Sequence, residues 1–78
     1  MPDAATIKAR IEAAIPGARA EVEDWTGGGD HFRATVVAGA FSGLSRIEQH
    51  RMVYEIFGEE IGGPIHALSL STQPSRST

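Results

Sequence analysis

Two short apolar strands in this chain are separated by a helical run, and that order constrains the fold more than any other feature. Residues 31–38 and 65–72 read as strands. Between them, apolar side chains fall at positions 47, 53, 56, 57 and 61, which is roughly helical spacing. Gly62-Gly63-Pro64 closes the run. A helix cannot serve as a hairpin turn, so the connection is a crossover and the two strands are expected to pair in parallel. Parallel pairing brings the beginnings of both strands to one end of the sheet, with neighbouring strands about 4.8 Å apart.

The rest of the chain completes a small α+β unit. Ile7, Ile11 and Ile15 form an apolar stripe with Ala14 beside it, so residues 4–15 read as a helix. Asp3 is its expected N-cap, and Pro16-Gly17 ends it. Over residues 19–25, Ala20 and Val22 alternate with Arg19, Glu21 and Glu23, the pattern of a half-buried strand that ends at Trp25. Thr26-Gly27-Gly28-Gly29-Asp30 is a hairpin loop leading into the strand that His31 opens. There Phe32, Ala34 and Val36 are expected to face the core, with His31 and Arg33 turned away from the helices. Residues 40–44 connect to the long helix. Ser45 and Glu48 make a capping-box pattern at its start, and Gly58 divides it into a helix and a short extra turn. Residues 73–78 read as a polar tail. The predicted architecture is αββααβ: a three-stranded mixed sheet with helices on one face, forming a single domain over residues 1–78 with its core in 4–72.

Composition narrows the function. A chain of 78 residues without cysteine has neither disulfides nor a CxxC site, so its apolar residues must carry the fold. The first residues have neither a basic region nor a long apolar run, and no stretch approaches membrane-spanning length, so the expected setting is the cytoplasm. Seven Lys and Arg against ten Asp and Glu give a net charge of −3, which lowers the prior for a phosphate-binding footprint. The Gly27-Gly28-Gly29 run opens a strand and lacks the Lys-Ser/Thr ending of a phosphate loop. The three histidines have no organised serine or carboxylate partners and there is no cysteine nucleophile, so an enzyme is not expected.

His66 and His31 are the candidate metal ligands. Each stands at the opening of one of the two parallel strands, and without cysteine they make half of a metal site that something else completes. The competing reading for His66 is a packed core histidine, because strict alternation sets it on one face with Leu68 and Leu70. For His31 the competing reading is a solvent-facing strand residue. Asp30 would either hold the second nitrogen of His31 or act as an oxygen ligand itself. His50 lies one helical turn before Tyr54, where it packs under the sheet or makes a hydrogen bond. Arg46 and Arg51, five apart, do not quite share a helix face. With His50 they are the candidate contacts to an acidic partner or to nucleic acid.

Several segments carry a resemblance. They are Asp30-His31-Phe32, Phe41-Ser42-Gly43-Leu44-Ser45-Arg46, Gln49-His50-Arg51-Met52-Val53-Tyr54 and Ile65-His66-Ala67-Leu68-Ser69-Leu70. In this order and spacing the chain resembles the BolA family over residues 4–72, and its short glycine loop and acidic balance are similar to the smaller bacterial BolA-like proteins. The resemblance implies a fold similar to a class II KH domain. It also implies a monothiol glutaredoxin as partner and a [2Fe-2S] cluster bridged between the two, with thiolates from the glutaredoxin and glutathione and an imidazole from His66. In isolation the chain would then carry no cofactor, as a monomer or weak homodimer. The family's second ligand comes from the loop between the first two strands, where this chain has neither cysteine nor histidine before His31. It also has Gln49-His50-Arg51 where the family often has Arg-His-Arg, and it lacks the family's C-terminal aromatic residue. The alternative is a KH-like transcriptional regulator of the stress response that contacts nucleic acid through Arg46, His50 and Arg51.

Overall fold

The computed structural model describes residues 3–24, 31–63, 65 and 67–74. Its elements are α1 (Ala4–Ala14), β1 (Arg19–Asp24), β2 (His31–Ala38), a 3₁₀ turn (Gly39–Phe41), α2 (Arg46–Phe57), a second 3₁₀ turn (Gly58–Glu60) and β3 (Ala67–Pro74). The sheet order is β1-β2-β3. β1 and β2 are antiparallel, with Arg19 opposite Val37 and Asp24 opposite Phe32. β2 and β3 are parallel, from His31 opposite Ala67 to Ala38 opposite Pro74. This is the α+β mixed sheet expected from the sequence, with α2 as the crossover. The extra helical element is no more than a 3₁₀ turn. No helix among the described residues is long and apolar enough to cross a membrane.

β2 is the centre of the molecule. Phe32, Ala34, Val36 and Ala38 are fully buried on its inner face, and the intervening residues are more exposed. Ile7, Ile11 and Ile15 from the α1 side, Val53 and Phe57 from α2, and Phe41, Ile65 and Leu68 pack against them. Burying each such side chain contributes about 1.5–3 kcal/mol relative to exposure. The helix ends follow local chemistry. Asp3 accepts from the Thr6 N–H at 2.8 Å. The Ser45 hydroxyl accepts from the Glu48 N–H while the Glu48 carboxylate accepts from the Ser45 N–H, at 3.2 and 2.9 Å. Gly58, with φ of 53°, ends α2 in a conformation that strains other residues.

Three details depart from the sequence reading. Ile47 is 71% exposed, and the buried stripe of α2 runs through Gln49, Val53 and Phe57 instead. Gln49 is buried because its amide donates to the carbonyls of Leu44 at 2.9 Å and Phe41 at 3.5 Å, holding the turn that enters α2. β3 begins at Ala67 and reaches Pro74, so Gln73 and Pro74 belong to the sheet rather than the tail. Ile65 donates to the Glu60 carbonyl at 3.0 Å and accepts from Gly62 at 2.8 Å, which ties its backbone to the end of the crossover.

Polar contacts then join the layers. Arg10 pairs with Glu60 at 2.7 Å, donates to the Ile56 carbonyl at 3.1 Å and lies 4.7 Å over the Phe57 ring, so α1 caps the end of α2. Lys8 donates to the Ala20 carbonyl at 2.9 Å, and the Ala20 N–H donates to Glu12 at 3.1 Å, which closes the outer edge of β1. Lys8, at 2.6 Å, is the chief reason the Glu12 carboxyl lies below its ordinary value of 4.5, and the Ala20 N–H adds to the effect. Glu12 therefore stabilises the fold above that value, and the contribution is lost as pH falls through its lower folded value. Denaturant unfolding between pH 7 and pH 3 should show Glu12→Gln less stable than wild type at neutral pH and converging with it in acid. A constant difference across that range would contradict the clasp.

Candidate functional site

The head of the sheet is assembled by the crossover. β1 ends there at Asp24, β2 begins at His31 and β3 begins at Ala67, with His31 and Ala67 opposite each other. His31 is half-buried and in phase with the more exposed residues of β2, away from the helices as expected. Arg33, two residues on, pairs with Glu23 across the strands at 3.3 Å. His66, Asp30, Trp25 and the Gly27-Gly28-Gly29 run lie outside the described residues. Ile65 is buried, and from Ala67 onward Leu68 and Leu70 lie on the more buried side of β3.

Among the described residues no three of His, Cys, Asp and Glu come together as a possible metal site. His31 is an imidazole at the first residue of β2, opposite the first residue of β3.

His50 is in another place. It is half-buried on α2 and lies between two grooves. One, of about 550 Å³, is lined by Ile47, His50, Arg51, Tyr54, Glu55 and Gly58. The other, of about 410 Å³, is lined by Arg46, His50, Leu70, Ser71, Thr72 and Gln73. Arg46 and Arg51 thus serve different grooves, with His50 bordering both, which agrees with their spacing of five. Sequence reasoning missed Tyr54, whose hydroxyl donates to the Leu68 carbonyl at 2.9 Å and fastens α2 to the start of β3. The available signal was an amphipathic tyrosine within the helical run, whose hydroxyl finds a partner when its ring is packed.

Helix, antiparallel hairpin, helical crossover and a third parallel strand define a small α+β domain whose strand heads converge on a histidine. The family model described as BolA-like protein matches residues 8–76, and the chain belongs to that family. It is 35% identical over 79 residues to BolA-like protein 1 of Mus musculus, an alignment covering 92% of this chain and 58% of the mouse protein. The chain therefore spans less than two thirds of that relative's length. A BolA homologue from Coxiella burnetii superposes with a TM-score of 0.75 at 37% identity, covering 92% of this chain and 90% of that one. A DNA-binding transcriptional regulator BolA of Vibrio cholerae is 39% identical over 46 residues, 59% of this chain and 43% of that protein.

Replacing Tyr54 by Phe removes the one hydroxyl that α2 gives to Leu68. Stability should fall by about 0.5–1.5 kcal/mol in denaturant titration, and amide exchange should speed up first near the start of β3. Unchanged exchange there would show that the bond contributes nothing.

Proposed function

We propose that this chain is an accessory protein of iron–sulfur cluster and iron homeostasis, pairing with a monothiol glutaredoxin to hold a bridging [2Fe-2S] cluster. The observation that carries this reading is the parallel register of β2 and β3. It sets His31 opposite Ala67, the residue that follows His66 in the sequence. His31 opens β2, His66 directly precedes β3 in the sequence, and the chain has no cysteine to add to them. The missing donors are soft, and thiolates from a glutaredoxin and glutathione supply them. Membership of the BolA family supports the same partner.

In this reading His66 is the principal ligand of the chain, and His31 is the second ligand or a neighbour that steadies it. The cluster itself supplies electron-accepting iron. An imidazole among thiolates raises its potential and leaves that side open to protonation. The work of the protein is to hold imidazole at a rigid sheet end and to exclude water by docking.

A second reading, a nucleic-acid-binding regulator, is favoured by the likeness to the Vibrio cholerae protein, whose name says that it binds DNA. Arg46, His50 and Arg51 on α2 are its candidate contacts. Oligonucleotide affinity that falls steeply with added salt is its signature.

Reconstitution of the full chain with monothiol glutaredoxin, glutathione, iron and sulfide tests the first reading through visible circular dichroism. Wild type should form a coloured complex, His66→Ala should lose or change its spectrum, and His31→Ala should change it if His31 is a ligand. No complex with wild type, or an unchanged His66→Ala spectrum, would contradict the assignment.

A further inference from the structure

The two outer edges of the sheet are finished differently. β1 has Arg19, Glu21, Glu23 and Asp24 among its six residues, and Lys8 and Glu12 clasp it at Ala20. β3, Ala-Leu-Ser-Leu-Ser-Thr-Gln-Pro, has no charged residue, and among the described residues no strand lies on its outer side. Charged edges resist the addition of another strand, and an uncharged open edge accepts it. Tyr54 covers this strand at Leu68.

Beyond Leu68 lies the groove of about 410 Å³. Successive side chains of a strand point to opposite faces. A groove lined by the four consecutive residues Leu70, Ser71, Thr72 and Gln73 therefore runs along the backbone edge rather than over one face. The Thr72 hydroxyl is buried and has no hydrogen-bond partner among the described residues. Among the described residues Arg46 lines the groove, no carboxylate does, and Arg46 has no ion pair.

We propose that this groove takes an extended acidic peptide segment of a partner protein as a fourth strand beside β3. Its main chain continues the ladder along residues 70–73, and its carboxylates meet Arg46 and His50. A nucleic-acid strand would find the same cation but has no alternating N–H and C=O groups for a strand edge. The net charge of −3 also disfavours it. The groove lies along β3 away from its head at Ala67, about 20 Å away by Gln73 at about 3.3 Å per residue. The proposal thus does not depend on the cluster reading.

The test uses the isotope-labelled full chain and two capped seven-residue probes, one alternating valine with glutamate and one alternating valine with lysine. The glutamate peptide should give saturable amide shifts concentrated at Leu70–Gln73 and around Arg46. The lysine peptide should bind about fivefold more weakly, the size of one partly exposed ion pair. Arg46→Glu, an exposed change at the helix start, should reverse that preference while leaving the amide spectrum folded. Equal binding of both peptides, shifts elsewhere, no reversal in Arg46→Glu, or shifts at these residues only with a single-stranded oligonucleotide would each overturn the proposal.

Discussion

The parallel pairing of β2 and β3 is the constraint on which the rest of the structure depends. α2 is too long for a hairpin and returns the chain to the end where β2 began, so His31 meets Ala67 and Phe32 meets Leu68. β2 thereby gains a neighbour on each side, and its inner face of Phe32, Ala34, Val36 and Ala38 becomes the floor for both helices. The alanines there leave room for Ile7, Ile11, Val53 and Phe57 to reach the sheet. The candidate site follows from the same constraint, because an antiparallel third strand would set Ala67 at the far end from His31.

A sheet of three strands has two exposed edges for one buried strand, and this chain covers each with its own chemistry. On β1 an ion pair satisfies both backbone groups of Ala20. On β3 a tyrosine hydroxyl satisfies Leu68 and the rest is left to the Arg46 and His50 groove. Arg10 performs a related service between the helices, meeting the Ile56 carbonyl near the end of α2 and the Glu60 carboxylate. A small domain has little core to spare, so such contacts determine which surfaces stay closed and which remain available to partners.

Local signals in the sequence located most of the fold. Alternation found β2 to the residue, Asp3 and the Ser45–Glu48 box found the helix starts, and Gly58 marked the end of α2. Long-range contacts were less legible. Nothing in the sequence marks Gln49 as buried before the turn carbonyls it serves are in place, and Ile47 reads as core until the helix is rotated to bury Gln49, Val53 and Phe57. The backbone tie of Ile65 to Glu60 and Gly62 at the end of the crossover is one that no spacing rule records. For the site, the crossover alone implied that His31 would open a strand beside the start of β3. The separation of Arg46 from Arg51 followed from helical periodicity, and the two grooves that they serve required the packed structure.

A cluster ligand at the sheet head and a peptide groove farther along β3 would let one small domain engage two partner elements at once. Both depend on the direction of β3 against β2, and interstrand nuclear Overhauser contacts in the full chain measure it. The account predicts backbone contacts that run in step, joining Phe32 with Leu68, Ala34 with Leu70 and Val36 with Thr72. Contacts in the reverse order, with the start of β3 against the end of β2, would contradict it.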